Sequence, residues 1–339
     1  MLAPRDTTPL KTLEQLLPPS LSARLDALDL LSRKVLSGKL PGERRSKRRG
    51  RSVEFDDFRQ YVPGDDLRHI DWNIVGRLDR LFVKLFREEE DLSLTIVVDA
   101  SPSMHVGDPS KLVYAVQLAM ALGYIGLVNQ NRVSAAAFGA PITDDEESGT
   151  VRVGLRRLAP MRGRLNTRRL AGFLLSTLHA AQRRSGAAGL DPTETFDDAM
   201  RTLARSECSS LTTGTRGITV LISDFLLPEP PASLRFIAGS PTLDTYAVQV
   251  LSPGELDPAV LTDDGLVGDL RLTDMETGRA QEVTVTPATI AMYKRNLNQS
   301  IAALKSRCAG YGIAHSLIST STDVEQVITG TMRRGGMLR

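Results

Sequence analysis

Two patterns of apolar and polar positions divide the chain. Unbroken apolar runs rich in β-branched residues predict strands buried on both faces. Apolar residues spaced by three and four predict helices that bury one stripe. Leu94–Met104, L-T-I-V-V-D-A-S-P-S-M, is the plainest run of the first kind, and it stops on Asp99 with Ser101 and Ser103 at alternate positions after it. Gly217–Asp224, G-I-T-V-L-I-S-D, repeats that design. Further strands are expected at Leu81–Phe86, Arg132–Phe138, Thr150–Leu155, Leu243–Leu251 and Ile313–Ile318, with a hairpin over Val267–Val285 around Asp274–Gly278.

Helical spacing covers residues 10–40, where Ser20 offers an N-cap, Leu21, Leu25, Leu28 and Val35 share a face, and Gly38 offers a stop. That face can dock on the body of the protein or on a partner. Pro109–Asn129 is apolar on most sides and should be buried. Arg168–Gln182 follows a loop at Gly163–Thr167, and Pro192–Ser206 follows a Gly- and Ala-rich linker. Thr289–Cys308 carries Ile290, Tyr293, Leu297, Ile301, Leu304 and Cys308 on one stripe, and Asp323–Met332 closes the chain. This order predicts an α/β fold: a mostly parallel central sheet with helices on both faces. Residues 1–90 form an N-terminal helical and extended segment, and residues 91–339 form the α/β domain with an inserted β-hairpin at about 251–288.

Composition narrows the class. At 339 residues, 41% apolar and 24% charged, the chain can bury a sizeable core. A net charge of +2 supplies no global field for nucleic acid or an anionic membrane. The two cysteines, Cys208 and Cys308, lack CxxC spacing and a nearby histidine, which excludes structural zinc and fits reduced cytosolic thiols. No apolar run approaches the roughly 18–20 residues that span a bilayer, so a cytoplasmic protein is expected.

The chemistry concentrates where strands end. In open α/β sheets ligands bind at the carboxyl edge of the strands. Asp99, Ser101 and Ser103 from one strand, Asp224 from a second and Thr167 from a loop, with Asn166 beside it, would give two carboxylates and three hydroxyls there. Hard oxygen donors suit Mg2+ or Mn2+, which keeps coordination positions for other ligands. The same aspartates also read as helix caps, with Ser101 and Ser103 satisfying backbone donors. Catalysis finds less support. A phosphatase of the haloacid-dehalogenase type needs an aspartate two residues after the first, and Ser101 cannot act as acid and base near neutral pH. Neither a phosphate-binding loop nor a Gly-x-Ser-x-Gly elbow occurs.

Two charged stretches stand apart. Arg44–Arg51 reads as phosphate contact or as a solvated connector, without interleaved aromatics. Ser52–Asn73, S-V-E-F-D-D-F-R-Q-Y-V-P-G-D-D-L-R-H-I-D-W-N, sets the only tryptophan among many charges. Pro63, Gly64, Asp65 and Asp66 predict a turn. Arg59, Arg68, Asp65, Asp66 and Asp71 are expected to pair as a network beneath Trp72, either as scaffold or as a surface facing a partner.

Asp99-x-Ser101-x-Ser103 with Thr167 and Asp224 resembles the metal-ion-dependent adhesion site of von Willebrand factor type A domains. The stretch from Arg48 to Asn73, running on to V-V-D-A-S-P-S-M, resembles the bacterial domain of unknown function family 58 over roughly residues 40–320, with Tyr61–Trp72 as its signature. The resemblance implies a Rossmann-like von Willebrand A fold and a non-catalytic adaptor. It implies metal ligation by Asp99, Ser101, Ser103, Thr167 and Asp224, and an interaction surface at Arg59, Tyr61, Gly64, Asp65, Asp66, Arg68, Asp71 and Trp72. It also implies a MoxR-type AAA+ ATPase as partner, offering an acidic residue to the ion in chaperone-like or metal-insertion assemblies. A metal-dependent hydrolase at the same site, or nucleic-acid binding through Arg44–Arg51, are the alternatives.

Overall fold

The computed structural model describes residues 10, 12–31, 55–63, 65, 67–86, 92–140, 154–182, 191–210, 216–238, 243–258, 268–274 and 280–339. Thr12 opens the first helix, α1 (Leu13–Leu16), in a reciprocal cap with Gln15. Prolines at 18 and 19 then reset the backbone, and α2 (Pro19–Leu25) starts on the second of them. The single helix expected over residues 10–40 is therefore two short ones up to Asp26, and Ser20 lies inside α2 instead of capping it. Val35, Gly38 and Arg44–Arg51 lie outside the described residues.

The chain divides into two compact units, residues 39–91 and residues 1–38 with 92–339. In the smaller unit, β1 (Phe55–Gln60) pairs antiparallel with β2 (Phe82–Phe86), and α3 (Trp72–Leu78) lies between them in sequence. Asp71 caps α3 by accepting from the Asn73 and Ile74 N–H groups, and its other oxygen meets Lys84 Nζ at 3.1 Å. Arg59 Nη2 lies 2.8 Å from both oxygens of Asp65. Of the pairing expected in this stretch, the Arg59–Asp65 pair forms, and Asp71 meets Lys84. Trp72 is 66% exposed, Arg68 is exposed and Tyr61 is half-buried. Gly64 and Asp66 lie outside the described residues.

The larger unit carries β3 (Leu92–Asp99), α4 (Lys111–Val128), β4 (Arg132–Phe138), β5 (Arg156–Met161), α5 (Thr167–Gln182), α6 (Pro192–Ser210), β6 (Arg216–Ser223), α7 (Leu234–Ala238), β7 (Leu243–Leu251), α8 (Pro253–Leu256), the hairpin β8 (Gly268–Thr273) and β9 (Ala280–Val285), α9 (Pro287–Gly310), β10 (Ala314–Ser319) and α10 (Val324–Gln326). Six strands form one sheet in the order β10-β7-β6-β3-β4-β5. Neighbours run parallel except β5, which pairs antiparallel with β4 at the edge. The expected α/β fold with a mostly parallel sheet is what forms. The reversed edge strand is displaced from the expected Thr150–Leu155 to Arg156–Met161, and residues 150–153 lie outside the described residues.

Alternate sheet residues feed two cores, as a pleated sheet requires. Leu94, Ile96, Val98, Ile218, Val220 and Ile222 pack with α4, α5 and the chain's first helices. Val97, Ala136, Leu221 and Ala247 pack on the other face with α6, α7 and α9 through Phe196, Met200, Leu234, Leu304 and Cys308. Burial pushes the Cys308 thiol up to about 11, so it packs as an inert apolar group. Contrary to the expectation that no run reaches spanning length, α4 is an 18-residue helix with mean hydropathy 1.6; 83% of it is buried, as the core helix of this sheet. The first helices belong to this unit rather than to a segment ending at residue 90. Tyr124 of α4 donates to Asp26 at 2.6 Å, Leu30 bridges Leu338, and Arg339 meets Asp29 at 2.7 Å.

Candidate metal centre

Parallel neighbours bring their carboxyl ends to one rim. β3 ends on Asp99 and β6 on Ser223, side by side, so Asp99 and Asp224 approach each other without any contribution from loop length. Ser223 Oγ donates to Asp99 Oδ2 at 2.6 Å and accepts from the Phe225 N–H at 3.0 Å. The Ser101 N–H donates to Asp99 Oδ1 at 2.9 Å, and the Ser101 and Ser103 hydroxyls lie 3.1 Å apart. Asp224 is held by Lys111 Nζ and the Leu226 N–H, and Phe225 beside it sits at φ +51°, a left-handed conformation costly for a bulky residue. Its ring is held edge-on to Phe196 at 5.9 Å, and Phe196 in turn meets Phe138, so packing fixes the turn. Gly139 crosses so close to the β3 loop that an added Cβ would lie 2.6 Å from the Ser101 nitrogen. Together these groups enclose a recess of about 50 Å³, walled on its third side by Pro192, Thr195 and Phe196 of α6.

Asp99 and Asp224 cap no helix: the short 3-10 turn Pro102–His105 has Ser101 at its N-cap, and the helix after Asp224, α7, begins only at Leu234. They are 5% and 4% exposed, respectively. Burial, and then the charge of Asp224, push the Asp99 carboxyl up to about 7. Lys111, 0% exposed at the start of α4, places Nζ 2.7 Å from Asp224 Oδ2 and 2.5 Å from Glu255 Oε1. Burial opposes its charge, but Asp224 and Glu255 outweigh that and hold the ammonium above its ordinary value. Glu255 is fixed in turn by the cap of α8, accepting from the Ser252 N–H and hydroxyl at 2.8 and 2.9 Å. Two carboxylates thus meet one ammonium, and the third, Asp99, is one that Lys111 does not touch.

Residues 57–302 match the family described as "Protein of unknown function DUF58". The chain belongs to the DUF58 family. Uncharacterized proteins of Mycobacterium bovis and Mycobacterium tuberculosis are each 30% identical to it over 274 residues, covering 80% of this chain and 75% of the relative. Among solved structures, the pilus adhesin SpaC from Lactobacillus rhamnosus GG superposes with a TM-score of 0.38 at 11% identity, over 73% of this chain. The DUF58 chain spans about a third of that adhesin (31%). An uncharacterized membrane-spanning protein from Vibrio fischeri gives a TM-score of 0.18 at 12% identity, over 72% of this chain and 98% of its own.

Of the five metal ligands expected in this DUF58 chain, Asp99, Ser101, Ser103 and Asp224 line one recess, and Thr167 does not. Thr167 lies at the opposite rim. Because β5 runs against β4, Met161 pairs with Val133 at the beginning of β4, and Val133 pairs with Leu94 near the beginning of β3. The chain therefore leaves β5 at the amino ends, five residues or roughly 16 Å from Asp99 at strand spacing. There the Thr167 hydroxyl donates to the Arg164 carbonyl at 2.6 Å, and Asn166 donates to the Arg162 carbonyl.

The third wall comes instead from α6, one helix later. Asp191 caps that helix by accepting from Thr193 N–H at 2.7 Å, and Thr195 Oγ1 donates to the Asp191 carbonyl at 3.0 Å. The D-P-T sequence at 191–193 is a helix-start signal that marks Thr195 as a first-turn residue of α6; the fold then brings that turn to the carboxyl rim. Lys111 and Glu255 carry no local signal, since their pairing depends on how α4 and α8 pack.

Among the described residues, no three His, Cys, Asp or Glu side chains cluster in metal-binding array. The donor set is two carboxylates with the hydroxyls of Ser101 and Ser103. All are hard oxygens, in a recess sized for one small ion with water, and they fit Mg2+ or Mn2+.

Proposed function

We propose that this DUF58 protein is a non-catalytic interaction module with a von Willebrand A-like fold, in which Asp99, Ser101, Ser103 and Asp224 hold one Mg2+ or Mn2+. The observation that carries this reading is the meeting of Asp99 and Asp224, buried at one rim, with more negative charge than Lys111 alone neutralises. A dication relieves that crowding. When bound, it would supply a Lewis-acidic position that a carboxylate from outside the chain can complete. Two of the protein donors are neutral hydroxyls, so the ion keeps enough positive charge to attract such a carboxylate.

The family resemblance points to a MoxR-type AAA+ ATPase in the cytoplasm as the source of that carboxylate, in a chaperone-like or metal-insertion assembly. The partner-facing role of the Arg59–Trp72 stretch belongs to the same proposal, supported by the 66% exposure of Trp72. Ser101 stands where a haloacid-dehalogenase-type phosphatase would place its acid–base aspartate, which favours binding over hydrolysis.

The test is a pull-down of a purified MoxR-type ATPase by wild type and Asp99→Ala, each with Mg2+ and with chelator. Capture by wild type with Mg2+ alone is expected. Equal capture in all four conditions would remove the ion from the function.

A further inference from the structure

The turn from β5 into α5, at the amino rim of the sheet, carries the opposite chemistry to the carboxyl rim. Residues 154–182 contain six arginines (Arg156, Arg157, Arg162, Arg164, Arg168, Arg169) and neither aspartate nor glutamate. Four of them fall within the eight residues 162–169, which turn from the edge strand β5 into α5. Arg162, Arg164, Arg168 and Arg169 are all exposed. At the tip of this turn Leu165 is 96% exposed, a leucine held almost wholly in water.

The turn is built, not loose. Arg164 stacks over the Tyr124 ring at 5.6 Å and lies 3.3 Å from Asp26, while its side chain remains 61% exposed. Thr167 and Asn166 close the turn through the Arg164 and Arg162 carbonyls. Arg156 anchors β5 to α5 through the Ser176 hydroxyl at 3.0 Å and the face of Phe173.

We infer that this turn is a peripheral docking site for an anionic lipid bilayer. A fixed cluster of guanidinium groups is complementary to anionic headgroups, and such attraction is additive over the cations near the surface. The protruding leucine selects among polyanions. A bilayer covers an apolar tip without a shaped pocket, whereas a protein must offer a matching groove. Single-stranded nucleic acid is held by rings that stack its bases, and residues 154–172 contain no aromatic residue; a duplex presents phosphates but no apolar layer to cover Leu165. The inference is independent of the metal centre, because the two lie at opposite rims.

Sedimentation of the full chain with vesicles tests it, using phosphatidylcholine alone or mixed with phosphatidylglycerol. Association only with the anionic vesicles is expected, falling steeply from 50 to 500 mM salt. Arg168→Gln with Arg169→Gln should weaken it by roughly tenfold or more. Leu165→Ser should weaken it several-fold while leaving the salt dependence in place. Asp99→Ala should bind vesicles as wild type does, which separates this outcome from the fate of the metal site. Circular dichroism melts confirm that each variant is folded. Equal binding to neutral vesicles, full binding by the folded Arg168/Arg169 variant, or binding of a 30-nucleotide RNA in place of vesicles overturns the inference.

Discussion

The two rims of one sheet are built from the same strands and do opposite things. The carboxyl rim buries its charges: Asp99 and Asp224 are 5% and 4% exposed, Lys111 is 0% exposed, and every oxygen named is held by a specific donor. The amino rim displays its charges, with Arg162, Arg168 and Arg169 in solvent around a leucine that is 96% exposed. Buried charges must be compensated one by one and are sensitive to any lost partner. Exposed charges act together and tolerate individual losses. The difference teaches where this molecule is brittle. A single substitution at the carboxyl rim should be felt in stability and ion binding together, while one at the amino rim should be felt in neither.

The largest effect is expected at Lys111. Lys111→Met leaves Asp224 buried, and Glu255 half-buried, without their cation, and a loss of about 3–5 kcal/mol is expected in denaturant unfolding. A loss below about 1 kcal/mol would mean that the carboxyl rim is as forgiving as the amino rim.

Gly139→Ala comes next. Its Cβ would lie 2.6 Å from the Ser101 nitrogen, against backbone, and φ at residue 139 is +83°. The strain is expected to cost about 1–3 kcal/mol and to weaken Mg2+ binding by moving the Ser101 loop. Unchanged Mg2+ affinity in that variant would detach the loop from the site.

The pH dependence follows from Asp99. Burial and the nearby Asp224 push its carboxyl up from 3.8 to about 7. Across that range the folded protein keeps a proton that the unfolded chain releases. Without metal, the stability contributed is full below about 3.8 and is lost as pH rises through about 7. Asp99→Asn should flatten that slope in chemical unfolding measured with chelator present. An equal slope in the variant would contradict the crowding of the two carboxylates.

Ser223→Ala removes the 2.6 Å hydrogen bond that orients Asp99. About 1–2 kcal/mol of stability is expected to go, with about tenfold in Mg2+ affinity. The smallest effect belongs to Thr167→Ala: no change in Mg2+ affinity, measured by calorimetry. A clear loss there would bring the two rims together and break the comparison.

Much of the carboxyl rim was legible because it depends on local patterns. A buried run that stops on Asp99 and another that stops on Asp224 place both at strand ends, and parallel pairing of β3 with β6 then does the rest. Thr167 was misplaced for a physical reason. A reversed strand sends the chain out at the other rim, so the loop after β5 could never meet Asp99. The helix boundary at Pro18 and Pro19 was readable from proline alone. The pairing of Asp71 with Lys84 rather than with an arginine was not, since it depends on the β1–β2 register. Lys111 illustrates the general limit. A lysine at the start of an apolar helix reads as solvent-facing, and only the packing of α4 beneath Asp224 and Glu255 buries it.

The central claim is that Asp99 and Asp224 share one cation. Titration of the metal-free full chain with Mn2+, followed by electron paramagnetic resonance, measures this directly. One bound Mn2+ per wild-type chain is expected, displaced by Mg2+ and lost in Asp99→Ala. No bound Mn2+ in wild type, or undiminished binding by the folded variant, would contradict it.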